Sequence, residues 1–112
     1  MQATFTKSFE FSASYSKDGK VFGHNYILRA TFQAASAADE RGLSEKIDQV
    51  LIQKMHSRDF GLHVDFLKTT PADDLSRLKV FWEIIQKAAE PVRLESLCLE
   101  RDRRTSWALS AG

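Results

Sequence analysis

The sequence is poor in cysteine and in long apolar runs. Cys98 is the single cysteine among 112 residues, so an internal disulfide is excluded. No apolar run approaches the roughly 20 residues that a membrane-spanning helix needs. Residues 1–4 lack the basic and apolar regions of a secretion signal. These absences predict a protein of a reducing compartment, and we expect it to be cytoplasmic.

The sequence also lacks an excess of charge of either sign. Sixteen Lys and Arg residues are balanced by fifteen Asp and Glu residues, which leaves a formal net charge of +1. Proteins that bind nucleic acid or anionic membranes usually carry a basic excess. We therefore expect no nucleic acid and no membrane among its partners. With 43% hydrophobic residues the chain can build one core, and we expect a single domain over residues 1–112.

Two stretches near the N-terminus alternate with a period of two. In residues 5–15 the odd positions are mostly aromatic and the even positions are Thr, Ser or Glu, and residues 22–32 alternate similarly. The polar residues 16–20, which include Gly19, join the two stretches. This pattern predicts an antiparallel hairpin of two long strands.

The period then changes to that of helices. One apolar stripe predicts a first helix that ends before Gly61; it contains Leu43, Ile47, Val50, Leu51 and Met55. A second helix is expected to open with Thr70 as its N-cap and to stop at Pro91. Two strands follow, over residues 92–100 and 105–109. The order predicts an α+β fold (ββααββ), a four-stranded antiparallel sheet with two helices on one face.

The hairpin carries a motif that supports a resemblance. Phe-Glu-Phe-Ser-Ala-Ser-Tyr at residues 9–15 is followed by Phe-Gly-His-Asn-Tyr at residues 22–26. This spacing resembles the start of the 6-pyruvoyl-tetrahydropterin synthase and 6-carboxytetrahydropterin synthase family, which reads Phe-x-Ala-Ala/Ser-His and then Leu-His-Gly-His-Asn-Tyr. The three histidines of that family bind zinc, and they fall on Tyr15, Phe22 and His24. The resemblance therefore implies a divergent member that has lost most of its zinc ligands.

The resemblance covers nearly the whole chain, including the Thr-Pro-Ala-Asp-Asp-Leu helix opening at residues 70–75. It implies the tunnelling fold, in which the sheets of several subunits join into a barrel, usually as stacked trimers. A four-stranded sheet leaves two edges to be covered, which favours the same assembly. We expect a homotrimer or a homohexamer.

The three zinc positions predict that the metal is absent. A catalytic zinc site needs about three protein ligands, whereas Phe22 has no donor atom and the Tyr15 phenol keeps its proton at neutral pH. His56 and His63 lie elsewhere in the sequence, and nothing in the spacing makes them converge on His24. We expect no metal and no cofactor. His24 then either serves in acid–base chemistry or hydrogen-bonds a neighbour on an apolar face.

The resemblance also implies positions for acid–base groups. The family's cysteine falls on Asp18, so thiol chemistry is not expected there, and Cys98 is interpreted as a core residue. The family's Leu-Asp-His-x-x-Leu segment corresponds to residues 62–66, where either His63 or Val64 takes the place of the histidine, with Asp65 as the available partner. The candidate catalytic residues are His63, His24, Tyr15 and Lys20; a solvated turn is the alternative role of Asp18 and Lys20.

Glu100 is the candidate ligand-binding residue. In the family a glutamate near the end of the third strand anchors the ligand, and Glu100 follows the apolar residues 97–99 at that place. A carboxylate accepts two parallel hydrogen bonds from the ring N–H and the amine of a pterin or guanine-like base. The alternatives are that Glu100 pairs with Arg101 or Arg103, or that Glu95 is the anchor.

Three functions remain open on the sequence. The favoured one is a 6-pyruvoyl-tetrahydropterin synthase-like protein that binds a pterin-like or purine-like heterocycle and performs zinc-independent acid–base chemistry of the lyase or aldolase kind. The second is a non-catalytic subunit that binds a pterin or takes part in assembly. The third is a zinc-dependent pterin synthase, which Phe22 disfavours.

Overall fold

A long hairpin forms the centre of the computed structural model, which describes residues 2–112. β1 (Ala3–Lys17) and β2 (Lys20–Ala34) pair antiparallel along their whole length. Asp18 and Gly19 make the two-residue turn, with φ values of 53° and 75°. These left-handed values belong to the type I′ turn that matches the twist of a hairpin, and glycine adopts them without steric cost. The predicted hairpin is present.

The first predicted helix is present in pieces. A short 3₁₀ helix (Ala37–Glu40) precedes α1 (Leu43–Ile47), which continues through a π-helical turn (Asp48–Ile52) into α2 (Gln53–Met55). The predicted apolar stripe faces the core, except that Val50 is only partly buried.

The role predicted for Gly61 is wrong. Gly61 lies inside α3 (Phe60–His63), a short helix that Asp59 caps. The chain has already turned at Ser57, which has a φ of 61°. A second 3₁₀ helix (Asp65–Leu67) follows α3.

The sheet has five strands and not the predicted four, because two residues join its edge. β3 (Arg58–Asp59) pairs parallel to β1 opposite Ala13 and Ser14. The strand order is β3-β1-β2-β4-β5, with β4 (Leu94–Arg101) and β5 (Thr105–Ser110) as the second hairpin. A two-residue strand carries no periodicity, so the sequence pattern could not reveal it.

The long helix α4 (Asp74–Ala89) begins three residues later than expected from a cap at Thr70. Asp73 is its N-cap, and the Asp73 carboxylate accepts a hydrogen bond of 2.7 Å from the Ser76 backbone N–H. This bond from the third helical residue is the one that an N-cap side chain makes. The helix ends before Pro91, as predicted.

The helices cover one face of the sheet, and the core lies between them. The largest buried side chains include Tyr26, Phe32, Phe60 and Phe81. The opposite face, which we call the open face, has no helix against it among residues 2–112. On the described chain no strand pairs with the outer edge of β5, and β3 covers only two residues of β1. None of the described helices is long and apolar enough to cross a lipid bilayer.

Candidate functional site

The three positions that correspond to zinc ligands lie side by side near the hairpin turn. Tyr15 is opposite Phe22, and His24 is opposite Ala13, so all three rings are on the helix-covered side of the sheet. The Tyr15 ring stacks on Phe22 at a centroid distance of 5.3 Å and on His24 at 5.6 Å. We call Phe22, Tyr15 and His24 the aromatic row. His24 alone in this row offers a nitrogen.

An arginine from the long helix packs on the aromatic row. The guanidinium carbon of Arg77 lies 5.0 Å from the centroid of the Tyr15 ring and 4.6 Å from that of the Phe60 ring. Arg77 is only 3% exposed. Its Nη1 lies 3.2 Å from Asp74 Oδ1, and the other oxygen of Asp74 lies 3.0 Å from Arg101 Nη1. The buried carboxylate is therefore compensated by two cations, as a buried charge requires.

Tyr26 extends the same cluster towards the core. Its ring meets His24 edge to face at 6.0 Å, and its hydroxyl is buried without a hydrogen-bond partner on the described chain. Burial first, and then the charge of Asp74, raise the pKa of Tyr26 well above its ordinary value. Both causes disfavour the phenolate. Tyr26 therefore stays protonated at every physiological pH.

These residues do not fit a zinc ion. Zinc in proteins takes nitrogen, thiolate sulfur or carboxylate oxygen from three or four side chains. In residues 2–112 no group of three or more His, Cys, Asp or Glu side chains is arranged to hold a metal. The aromatic row supplies one nitrogen, and the guanidinium of Arg77 already packs against it. Whether the purified protein carries zinc stays a prediction for metal analysis.

His24 is instead held by a carboxylate. Its Nδ1 lies 2.5 Å from Asp102 Oδ2, and the other Asp102 oxygen accepts the Asn25 backbone N–H at 2.8 Å. Because a carboxylate only accepts, Nδ1 carries the proton in this pair. The neutral ring then has its free lone pair on Nε2, which is buried and has no hydrogen-bond partner among the described residues. An imidazole oriented in this way is a candidate general base.

Asp102 was missed by the sequence analysis, which left residues 101–104 as the connection between the last two predicted strands. It lies between β4 and β5 with a φ of 52°, next to Arg103 with a φ of 59°. Aspartate tolerates this left-handed conformation better than most residues. The backbone N–H of Asn25 and then the His24 ring lower the pKa of the Asp102 carboxyl. Asp102 is thus an anion at neutral pH.

The other predicted acid–base groups lie apart from His24. His63 is exposed on α3, and its Nδ1 accepts the Asp59 backbone N–H at 3.3 Å. It lines one cleft, with Lys54 and Arg58 among others, whereas His24 lines another. Asp65, the carboxylate that the sequence left available as a partner for His63, is 92% exposed and pairs with Lys68 at 3.0 Å instead.

Lys20 lies on the same side of the hairpin as the aromatic row, opposite Lys17 at the exposed turn. The structure thus brings His24 and Tyr15 into contact and leaves Lys20 at the exposed end of the row. Asp18 is a turn residue with positive φ. Its geometry accounts for its place in the sequence without a chemical role.

Asp59 is a second buried carboxylate that the sequence analysis did not single out. It accepts hydrogen bonds from the hydroxyls of Ser14 and Ser16, at 3.3 and 2.9 Å. It also accepts the backbone N–H groups of Gly61 and Leu62, at 3.0 and 3.1 Å. All its partners belong to the fold, so Asp59 fastens the start of α3 to the edge of β1.

Glu100 lies on the open face. It is opposite Ile27, while its neighbour Leu99 points into the core. The side chain is 24% exposed, and its one hydrogen bond, from Arg29 Nη1, is long at 3.5 Å. The alternative partners Arg101 and Arg103 do not bind it in this structure. A carboxylate with so weak a partner keeps its capacity to accept further hydrogen bonds.

Glu95 and Cys98 lie on the same strand as Glu100, and the core position predicted for Cys98 is wrong. Glu95 is 26% exposed and not turned fully to solvent, with Oε1 at 3.3 Å from Arg93 Nε. That distance is an ion pair without hydrogen-bond geometry, because the same oxygen has no hydrogen-bond partner. Cys98 is half-buried opposite Arg29 and Ala108, on the open face and not in the core. The alternation of β4 puts Leu97 and Leu99 there instead.

The His24–Asp102 pair lies between two open clefts. His24 and Asp102 both line the smaller one, of about 370 Å³. Asp102 also lines a larger cleft of about 670 Å³ on the open face, together with Glu10, Asn25 and His56. The His56 Nδ1 accepts the Ser12 backbone N–H at 3.1 Å, which holds this ring at the sheet edge.

A comparison with solved structures identifies the fold of the chain, whereas comparisons of its sequence find no match. No protein-family model matches the sequence, and no curated protein matches it. Among solved structures, 6-pyruvoyl tetrahydropterin synthase from Caenorhabditis elegans is similar with a TM-score of 0.82 and 17% sequence identity. The match covers 100% of this chain and 97% of that chain. The chain therefore has the α+β tunnelling fold, and that prediction is confirmed; at this identity the match shows the fold alone.

Proposed function

We propose that this chain is a 6-pyruvoyl-tetrahydropterin synthase-like protein, one domain over residues 1–112, that acts in the cytoplasm on a pterin-like or purine-like heterocycle. Glu100 anchors the ring, and His24 performs acid–base chemistry of the lyase or aldolase kind without zinc. The observation that carries the proposal is the His24–Asp102 pair at 2.5 Å, where the resembling family has a metal ligand.

The chemistry follows from how the pair is held. Asp102 fixes the proton on Nδ1, so Nε2 of His24 is the atom that accepts a proton from a carbon next to the heterocycle. The imidazolium formed in this step faces the Asp102 carboxylate, which stabilises it. The electron pair left on the carbon delocalises into the ring of the ligand. Tyr15, stacked on His24 at 5.6 Å, is the nearest predicted group that can return a proton.

The site needs more than one subunit in this proposal. Glu100 is on the open face and His24 on the helix-covered face, so one sheet cannot present both to a small ligand from the same side. The edges of β1 and β5 have backbone groups to pair with a second copy. A homotrimer or homohexamer would bring Glu100 of one subunit towards His24 of the next. Light scattering at micromolar concentration tests this, and a monomer would contradict it.

A non-catalytic heterocycle-binding or assembly subunit is the second candidate. One observation favours it: Nε2 of His24 is buried in the isolated chain, where no ligand reaches it. A base that stays closed in the assembly as well would leave binding without chemistry. A zinc-dependent synthase has no such support, because the aromatic row offers a single nitrogen.

The experiment is calorimetric titration of the chain with a panel of pterins and purines, followed by deuterium exchange into the bound ligand by NMR. We expect one of them to bind, and exchange next to the ring to be lost in His24→Gln and Asp102→Asn. Binding with no exchange in the wild type would support the second candidate. Binding of no member of the panel would contradict the proposal.

A further inference from the structure

We infer that Arg77 is a built-in cation that takes the place of a metal at the hairpin. Its guanidinium ties the aromatic row to the helices and keeps a divalent cation out. This role of Arg77 involves the metal and not the heterocycle, so it does not depend on the proposed ligand.

The geometry is that of a cation between two ring faces. The Arg77 guanidinium lies 5.0 Å from the Tyr15 ring centroid and 4.6 Å from the Phe60 ring centroid. Both distances are within the roughly 6 Å at which a ring quadrupole attracts a cation. Tyr15 belongs to β1, Phe60 to α3 and Arg77 to the first turn of α4. One guanidinium therefore joins β1, α3 and α4 at the end of the sheet where the aromatic row lies.

The positive charge of Arg77 lies inside the fold, where it is held by a buried carboxylate. Arg77 is buried, and so is its partner Asp74, whose side chain is 4% exposed. Asp74 is shared with Arg101, so the cluster contains two cations and one anion. The remaining positive charge lies beside the aromatic row. In a buried setting like charges repel strongly, so this charge opposes a divalent cation at the same place.

The side chains at the zinc positions agree with this role. Tyr15 presents a ring face to the guanidinium, and Phe22 and His24 stack against the same ring. His24, the retained histidine, has its Nδ1 engaged by Asp102. Histidines at positions 15 and 22 would restore the donors and leave the competing cation in place. The loss of zinc binding therefore depends on Arg77 as well as on the missing histidines.

The test introduces histidines at the two zinc positions that lack them, 15 and 22. Tyr15→His/Phe22→His is compared with the same variant carrying Arg77→Met, in the full chain, by competition for Zn²⁺ with a chromophoric chelator. We expect the Arg77→Met change to tighten zinc binding by about tenfold or more, because it removes the buried positive charge that packs on the ring at position 15. Equal zinc affinity with and without Arg77 would overturn the inference.

Arg101→Met in the same two-histidine background is the matched control. It removes the other cation on Asp74, and Arg101 makes no cation–π contact with Tyr15 in this structure. We expect the zinc affinity to change by less than about threefold, because Arg101 does not pack on the ring at position 15 and its side chain is 31% exposed, so that solvent screens its charge. A gain as large as that from Arg77→Met would contradict a specific role for Arg77.

A second measurement does not need zinc or the grafted histidines. Tyr15→Leu is made in the wild type and in Arg77→Gln, and urea unfolding is measured for all four proteins. We expect Tyr15→Leu to lower the unfolding free energy clearly more in the wild type than in the Arg77→Gln variant. Only the wild type has the contact between the guanidinium and the Tyr15 ring that this substitution removes. Equal effects would show that the two side chains are not coupled and would overturn it.

Discussion

The two faces of the sheet hold their carboxylates in different ways. On the helix-covered side Asp74 is buried between Arg77 and Arg101, and its acceptor atoms are occupied within the fold. On the open face Glu100 is partly exposed and has one hydrogen bond of 3.5 Å from Arg29. The difference teaches that a carboxylate whose acceptor atoms are occupied within the fold contributes to stability, whereas one with a single weak partner keeps the capacity to accept further hydrogen bonds.

The largest expected effect is on the helix-covered side. Asp74→Asn leaves two arginines in the cluster without their shared anion. Breaking a buried ion pair in this way costs about 3–5 kcal/mol of unfolding free energy. Urea unfolding measures it, with Asp65→Asn as the control because Asp65 is an exposed carboxylate that also pairs with a cation. Equal losses of unfolding free energy in Asp74→Asn and Asp65→Asn would contradict a stabilising role for the buried carboxylate.

The next effect is on the open face and concerns binding. Glu100→Gln replaces the charged acceptor of the proposed ligand anchor. We expect it to weaken binding of a pterin or purine by more than tenfold, about 2–5 kcal/mol, while the unfolding free energy stays near that of the wild type. Glu95→Gln is the control, since it has nearly the same exposure and the same strand.

Calorimetric titration of both variants decides the anchor. A Glu100→Gln variant that binds like the wild type would remove the anchor assignment. Sensitivity at Glu95 in its place would show that the correspondence with the family's third strand is shifted.

The smallest effect is a pH dependence at the turn between β4 and β5. The Asn25 N–H and the His24 ring lower the pKa of Asp102 in the folded state. A depressed folded pKa contributes stability above the unfolded value of about 3.9, and this contribution disappears as pH falls through the folded pKa. Wild type should therefore be more stable than Asp102→Asn at neutral pH, with a gap that closes in acid. Urea midpoints from pH 7 to pH 3 measure the gap; a constant gap contradicts the account.

The sequence predicted the features that repeat along the chain. The alternation over β1 and β2 identified the buried side of the hairpin, including Phe11 and Phe32, because a strand with one buried face must alternate. The apolar stripe of the first helix was predicted in a similar way, because a helix with one buried face repeats its apolar residues every three or four positions. Glu100 was placed at the end of a strand next to core leucines, and the structure has it there.

What the sequence did not reveal depends on contacts between distant residues. His24 and Asp102 are 78 positions apart, and they meet only because both hairpins end at the same end of the sheet. β3 exists because Ser57 and Asp59 bond to β1, which no local pattern indicates. The cap of α4 was misplaced because Thr70 and Asp73 both suit an N-cap, and only the folded chain selects one.

The central claim is that the hairpin site works without a metal, and one measurement tests it directly. The protein is stripped with a chelator, its zinc content is determined by elemental analysis, and the stripped and untreated proteins are titrated with the same pterin or purine. The account predicts far less than about one zinc per chain before stripping and the same affinity afterwards. About one zinc per chain that is lost in His24→Ala, together with loss of ligand binding on stripping, would contradict it.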